Sequence, residues 1–209
     1  AGNNFGNLIV TSTATANNAT IHETATSTYT TVTANSFTAT SDLGSIALYT
    51  TNTAIKTGSG GGNTTLTAVN GGVNFANTTS SSTYGSGVLT INAGASSSIT
   101  DNTATMLTIG SGTNVIGNLS IIDPVNGATI ADQSGSSSIN VTGILSLLAP
   151  SGNLQFTAAN NSVGGLVTQA QYADNIFIQG NLNLASGSYA PGVANYTATG
   201  NITLSLIHI

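Results

Sequence analysis

The sequence is 209 residues long, and its net charge of −5 comes from six acidic residues and one base, Lys56. Only 3% of the residues are charged, against about 25% in a typical soluble domain. A single base excludes the basic surface that binds phosphate backbones, so no nucleic-acid partner is predicted. The chain has no cysteine for a disulfide framework, and no apolar run of about 18 residues that would predict a transmembrane helix.

Short segments of alternating apolar and polar residues recur from one end of the chain to the other. Apolar residues at every second position are typical of a strand with one buried face, and the segments start about every 9 to 11 residues. No window has the spacing of an amphipathic helix. In chain order, the predicted strands lie within residues 7–11, 45–49, 64–69, 87–92, 106–109, 117–121, 143–147, 152–156, 164–168, 180–184 and 200–204.

Several of these segments are copies of one form, a glycine and an optional asparagine followed by alternating apolar residues. Short strands at this spacing suit either an antiparallel sandwich or a parallel β-solenoid. Self-similarity favours the solenoid, and so does the scarcity of charge, because an open sheet needs charged residues to protect its edges. The sequence therefore predicts an all-β fold, a single right-handed parallel β-helix with degenerate repeats. Its predicted inward residues are Leu119, Ile121, Leu154, Phe156, Leu182 and Leu184.

No domain boundary is evident, and residues 1–203 are expected to form one β-helix without caps. At about 20 to 25 residues per coil, they would make roughly 8 to 10 coils over about 40 to 50 Å. Residues 204–209 match the translation of a common sequencing adapter, so we expect an artefact there, with a genuine last strand as the alternative. The chain is expected to be a fragment whose polypeptide continues at both ends. The uncharged segment 202–209 predicts end-to-end association of the isolated fragment.

The Gly-Asn-Leu-x-Leu strands, the Ile-x-Asp turns at residues 99–103 and 130–134, and the Asn-Asn-Phe-Gly segment at residues 3–6 carry a resemblance. They resemble the repeats of filamentous haemagglutinin-like exoproteins. The resemblance covers nearly the whole chain and is weakest from Thr11 to Thr40. It implies the β-helical shaft of a large bacterial surface adhesin, often exported by two-partner secretion. The expected function is a rigid extracellular spacer that makes weak contacts with glycans on host or other surfaces.

The six acidic residues are the main candidates for catalysis. Two carboxylates that flank one bond would make a glycosidase, and Asp101 and Asp132 occupy similar positions in the Ile-x-Asp repeats. A polysaccharide-active β-helix enzyme is therefore one alternative. Turn capping is favoured, because an aspartate after a strand bonds nearby backbone amides, so no enzyme and no catalytic residue is predicted. We expect Asp101, Asp123 and Asp132 to lie apart at turns; the other acids are Glu23, Asp42 and Asp174.

Histidines and threonines are the remaining candidates for a site. His22 and His208 have no carboxylate cluster or cysteine at ligand spacing, so neither a metal site nor a cofactor is predicted. Threonines alternate from Thr24 through Thr40, which makes an ice-binding solenoid with aligned threonine rows the second alternative. Such rows must align over many coils, and the threonine density falls after Thr67. Solvated strand faces are the favoured interpretation.

Overall fold

The computed structural model contains β-strands, turns and loops but no α-helix among the described residues, which therefore include no helix that could cross a membrane. The strands form one 21-stranded sheet, wound as a parallel solenoid of about eight turns. This confirms the predicted all-β parallel solenoid and excludes the antiparallel sandwich; the right-handed sense of the coil stays a prediction. The described residues are 3, 5, 7–11, 17–48, 54–76, 82–102, 106–133, 135, 138–184, 188 and 192–204.

Most strands are short, and two long ones span a corner of the coil. The strands are β1 (Asn7–Thr11), β2 (Asn18–Glu23), β3 (Ser27–Thr33), β4 (Ser36–Ser41), β5 (Ile46–Leu48), β6 (Ala54–Lys56), β7 (Thr64–Ala68), β8 (Val73–Phe75), β9 (Val88–Ala93), β10 (Ser97–Thr100), β11 (Met106–Ile109), β12 (Thr113–Val115), β13 (Leu119–Ile122), β14 (Thr129–Asp132), β15 (Ile139–Ala149), β16 (Asn153–Phe156), β17 (Ser162–Ala170), β18 (Ala173–Ile178), β19 (Leu182–Leu184), β20 (Val193–Ala198) and β21 (Ile202–Leu204).

The pairings sort the strands into three faces that follow one another along each coil. Face A comprises β5, β8, β10, β13, β19, β21 and the first parts of β1 and β3. Face B comprises β6, β11, β14, β16, β18, β20 and the second parts of β1 and β3. Face C comprises β2, β4, β7, β12 and most of β9, whose first residues, Val88 and Leu89, pair with β11 of face B. Strands β15 and β17 begin on face C and end on face A.

The number of residues per coil varies along the solenoid. A hydrogen bond between neighbouring coils joins residues 19 apart at Gly180 and Thr199, and another joins residues 27 apart at Ser45 and Gly72. Turns and loops absorb the difference, because the strands keep their register within each face. Coils of variable length are the physical basis of the degenerate repeat.

Inward side chains stack in columns along the solenoid axis. On face A, Leu119 pairs with Leu145 and Leu145 pairs with Leu166, and all three are fully buried. Burying one leucine contributes about 1.5 to 3 kcal/mol, so such columns stabilise the stacking of coils. Of the predicted inward residues, Leu119, Ile121, Leu154, Phe156 and Leu182 are confirmed as buried, and Leu184 is partly buried against the core.

The recurring Gly-Asn pair has a structural cause. Gly117 has a φ of 98°, a left-handed conformation that glycine adopts without strain. The next residue, Asn118, accepts a hydrogen bond at its Oδ1 from the backbone N–H of Ile144 in the neighbouring coil, at 2.8 Å. A Cβ on Gly143 would come within 2.3 Å of that Oδ1 atom. The Gly-Asn pair therefore joins two coils, and the residue of the next coil that contacts the asparagine, Gly143, must be glycine.

A second copy has the same geometry. Gly180 has a φ of 95°, and Asn181 Oδ1 accepts a hydrogen bond from the backbone N–H of Asn201 at 3.0 Å. A Cβ on Gly200 would lie 2.4 Å from Asn181 Oδ1. The repeated motif is thus a coil-to-coil lock, and it recurs because each coil meets the next at the same corner.

Candidate functional site

The acidic side chains of this chain are mostly inside the solenoid. Five of the six are buried, and Asp42 is the exception. The Asp42 carboxylate lies on the surface, 2.9 Å from Nε2 of His22. Burial of an ionised carboxylate is costly unless it is hydrogen-bonded or protonated. The sequence predicted turn caps for the aspartates and did not predict that these acidic side chains are buried. They are Glu23, Asp101, Asp123, Asp132 and Asp174.

Asp123 caps a turn, as the sequence predicted. It follows β13, and its Oδ1 accepts a hydrogen bond from the backbone N–H of Val125 at 3.0 Å. The side chain is fully buried. Burial raises the pKa of Asp123 to about 7, although the Val125 N–H opposes the shift. This carboxyl group is therefore half protonated near neutral pH.

Asp101 stacks beside Asp123, one coil earlier. Its backbone N–H donates to the carbonyl oxygen of Ile122 at 2.9 Å, and it is fully buried. The expected equivalence of Asp101 and Asp132 is wrong: Asp101 follows a strand of face A, whereas Asp132 ends β14 on face B, where it pairs with Ile109. Three similar residues mark a strand end but do not identify the face, because strands of different faces end in similar turns.

The buried neighbourhood of Asp101 and Asp123 does not form an accessible catalytic pair. Both side chains are fully enclosed, so a polysaccharide could not reach them without opening the coil. Tyr84 is also fully buried, and its pKa lies well above the usual value because of burial and the charge of Asp101. The arrangement is a closed polar corner of the core.

Asp132 is held by two donors. Its Oδ2 accepts hydrogen bonds from the backbone N–H of Ala158 at 2.8 Å and from Asn161 Nδ2 at 2.5 Å. Asn161 is itself fixed, because its Oδ1 accepts from the backbone N–H of Ile139 at 3.2 Å. Asp132 keeps 7% of its surface exposed. This network fixes the position of a carboxylate that points towards the core, as does its fully buried pairing partner Ile109.

Asp174 belongs to a separate polar cluster at the carboxyl-terminal end of the described core. The Tyr196 hydroxyl donates to Asp174 Oδ2 and lies 2.7 Å from Thr168 Oγ1. Burial raises the pKa of Asp174, and the hydrogen bonds from Thr168 and Tyr196 oppose that rise. The cluster joins β17, β18 and β20 by hydrogen bonds where an apolar column would otherwise continue.

An open groove lies on the outer side of face B, and we call it the Asp132 groove. It has a volume of about 300 Å³ and contains Asp132 as the only carboxylate among its described lining residues. A glycosidase needs a second carboxylate across the scissile bond, which these lining residues do not provide. The lining consists of Met106, Thr108, Ala131, Asp132, Gln133, Gln155 and Thr157.

A second groove, of about 230 Å³, lies at the end of face C. Val69 and Ile116 stand at its rim, 53% and 57% exposed, with Gly94 between them. A Cβ on Gly94 would lie 2.2 Å from the carbonyl oxygen of Val69, so the gap between the two aliphatic residues is built into the backbone. None of its described lining residues is titratable, so the groove offers no acid–base chemistry.

Threonines on face C align across coils. Thr20 pairs with Thr38, Thr38 with Thr65, and Thr65 with Thr90. These four residues form one row, and a parallel row two positions further along each strand contains His22, Thr40, Thr67 and Asn92. Asparagine continues the second row, where Asn140 Nδ2 donates to Asn114 Oδ1 at 3.0 Å. The first row therefore carries threonine on four coils, and the second carries threonine on two.

Among the described residues, His22 forms an ion pair with Asp42, and no group of three histidine or acidic side chains could hold a metal ion. His208 and residues 205–209 of the predicted adapter segment lie outside the described residues. Leu204 is described and forms the end of β21.

Sequence reasoning missed the polar partners of Asp132. Asn161 is fully buried, although an Asn-Asn pair in a turn predicts a solvated loop. The signal that could have found it is its place one coil after Asp132, but the variable coil length hides that relation.

Searches of protein-family models, curated proteins and solved structures found no match for this chain, so the filamentous haemagglutinin-like resemblance stays a prediction.

Proposed function

We propose that this chain is a segment of the rigid, adhesive shaft of a large secreted bacterial surface protein. The observation that carries the proposal is the stacking of parallel strands, which is continuous along face A from β1 to β21, with coil-to-coil hydrogen bonds at Asn118 and Asn181. Backbone hydrogen bonds between coils run along the solenoid axis, so bending the shaft requires breaking several of them together. The resemblance of the Gly-Asn strands to haemagglutinin-like repeats supports the bacterial surface as its location.

A rigid shaft predicts a narrow distribution of distances along its axis. Thr28 and Val167 lie six coil steps apart in one outward row of face A, through Ala47, Asn74, Ser98, Ser120 and Ser146. At about 4.8 Å per step, their backbones are about 29 Å apart. The chain has no cysteine, so the double variant Thr28→Cys/Val167→Cys carries spin labels only at these two positions.

Pulsed electron–electron double resonance on this variant should give one narrow peak. The matched variant Ala47→Cys/Val167→Cys should give a peak about 5 Å shorter, because one coil step is removed. A broad distribution in both variants, or equal distances, would contradict a rigid spacer.

Ice binding is a second candidate, favoured by the aligned threonine rows. Thr38 and Thr40, like Thr65 and Thr67, stand two positions apart on one strand, so hydroxyl and methyl groups repeat at about 4.8 Å between coils and about 6.6 Å along a strand. β-Branched side chains are stiff at χ1, which keeps such a surface regular. We expect ice-recrystallisation inhibition that Thr67→Tyr abolishes and Ser120→Tyr, on face A, leaves intact. No inhibition by the unmodified chain would leave the rows as solvated strand faces.

A further inference from the structure

We propose that the groove at the end of face C, which we call the Val69 groove, binds the acetamido group of an N-acetylhexosamine. Val69 and Ile116 would hold its methyl group, and the side-chain amides of Asn92 and Asn114 would bind its amide. The inference names a sugar class for the glycan contacts of the proposed shaft, and it rests on that proposal only for the role of the binding.

The side chains that line the Val69 groove point away from the core. Ala68, Ala93 and Val115 pair in one inward column, and all three are buried. Side chains alternate between the two faces of a strand, so the positions on either side of these three residues are outward. The outward positions that line the groove are Thr67, Val69, Asn92, Gly94, Asn114 and Ile116.

Two exposed aliphatic side chains form the walls of the groove. The backbone N–H of Gly94 donates to the carbonyl oxygen of Ala68, and that of Ile116 donates to the carbonyl oxygen of Ala93, so Val69, Gly94 and Ile116 lie on consecutive coils. At about 4.8 Å per coil, the backbones of Val69 and Ile116 are about 9.6 Å apart. Both side chains are more than half exposed. A methyl group above Gly94 would contact both walls and remove apolar surface from water.

The polar side of the groove offers both a donor and an acceptor. Asn114 Oδ1 accepts a hydrogen bond from Asn140 Nδ2 of the following coil, so Asn114 Nδ2 is directed away from that coil. Asn92 and Asn114 are strand partners, but these two described side chains exchange no hydrogen bond. An asparagine amide both donates and accepts. The pair can therefore donate to the carbonyl oxygen of an acetamido group and accept from its N–H.

The size and the charge of the groove select the substituent. Its volume of about 230 Å³ is below the range of about 300 to 1,000 Å³ for sites that enclose a whole small molecule. The groove therefore encloses one substituent, and the sugar ring lies across the open rim. None of the described lining residues is charged, so a neutral substituent fits. A hydroxyl group would leave the aliphatic walls without a partner, whereas an acetamido group matches both the walls and the amides.

The test is a titration of the full chain, labelled with nitrogen-15, with the methyl glycosides of N-acetylglucosamine, N-acetylgalactosamine and glucose and with N-methylacetamide. We expect at least one N-acetylated glycoside to shift the backbone signal of Gly94 and the side-chain amide signals of Asn92 and Asn114, with a Kd of about 1 to 10 mM. Methyl glucoside lacks the acetamido group and N-methylacetamide lacks the ring, so each should bind at least about tenfold more weakly.

Two variants locate the binding, and a third is the control. Asn114→Asp keeps an acceptor for Asn140 but loses the donor, so it should raise the Kd at least about tenfold. Ile116→Ala shortens one exposed wall and should raise the Kd about threefold. The matched control is Asn175→Asp on face B, where Asn175 Oδ1 accepts from Asn195 Nδ2 at 2.8 Å, and it should leave the Kd unchanged. Thermal unfolding checks that all three variants fold.

Three results would overturn the proposal. They are no shift with either N-acetylated glycoside at about ten times the expected Kd, equal binding of methyl glucoside or N-methylacetamide, and an unchanged Kd in either folded groove variant. The spin-label distances test the shaft separately, so the two proposals can fail independently.

Discussion

The buried carboxyl group of Asp123 predicts that the protein is more stable in acid than at alkaline pH. In the folded chain the pKa of Asp123 is raised from 3.8 to about 7, and burial is the main cause. Between these two values the folded state binds a proton that the unfolded state has released. The free energy of unfolding therefore falls as the pH rises through this window, and the loss is complete above pH 7.

The size of the effect follows from the shift. One pKa unit corresponds to about 1.4 kcal/mol, so a shift of about three units corresponds to about 4 kcal/mol between pH 4 and pH 8. Asp123→Asn removes the titration and keeps an oxygen that can accept from Val125 N–H. The new amide N–H groups would take the place of Oδ2, an atom without a hydrogen-bond partner among the described residues, at a cost of about 1 to 3 kcal/mol that does not depend on pH.

Urea unfolding at pH 4, 6 and 8 measures this difference. Relative to the unmodified chain, Asp123→Asn should gain about 4 kcal/mol on going from pH 4 to pH 8, whatever its stability at pH 4. Some pH dependence should remain in the variant, because burial also raises the pKa of Glu23 and Asp174. Parallel curves for Asp123→Asn and the unmodified chain would refute the reasoning.

Three further predictions test the core, the coil lock and the absence of catalysis. Leu145→Ala should lower the free energy of unfolding by about 2 to 5 kcal/mol, because it opens a cavity in a fully buried column; an effect below 1 kcal/mol in urea unfolding would contradict the stacking. Gly143→Ala should destabilise by about 1 to 3 kcal/mol through overpacking against Asn118 Oδ1 and the backbone carbonyl of Gly117; a variant as stable as the unmodified chain would contradict the close approach of the two coils. The chain should release no reducing ends from polygalacturonate; a release that Asp132→Asn abolishes would establish an enzyme.

The fold could be predicted because its signals are local. Alternation at Leu119 and Ile121 gives a strand with one buried face, and the same pattern at Leu154 and Phe156 gives another. The Gly-Asn pair is also a local signal, because Gly117 adopts a left-handed backbone and Asn118 accepts a hydrogen bond from the next coil. Each of these features is contained within a few residues, so a single sequence is enough.

The register between coils could not be predicted, and the site depends on it. Ile99-Thr100-Asp101 and Ile130-Ala131-Asp132 read alike, yet the first ends a strand of face A and the second a strand of face B. Coils that differ by several residues remove the fixed period that would have separated them. The Asp132 groove exists only because Ala131 stacks between Thr108 and Gln155, a relation over more than twenty residues in each direction.

The burial of most acidic side chains lowers the charge of the outer surface. A net charge of −5 counts all six acids as ionised, but five of them are buried, and burial raises the pKa of Glu23, Asp123 and Asp174. The outside of the folded solenoid is therefore closer to neutral than the sequence suggests, with hydroxyl and amide rows in place of charges. A surface with so few charges has little long-range attraction for charged partners. The solenoid should therefore keep its fold in acidic as well as neutral solution, because protonation removes the cost of burying the ionised carboxyl groups of Glu23, Asp123 and Asp174.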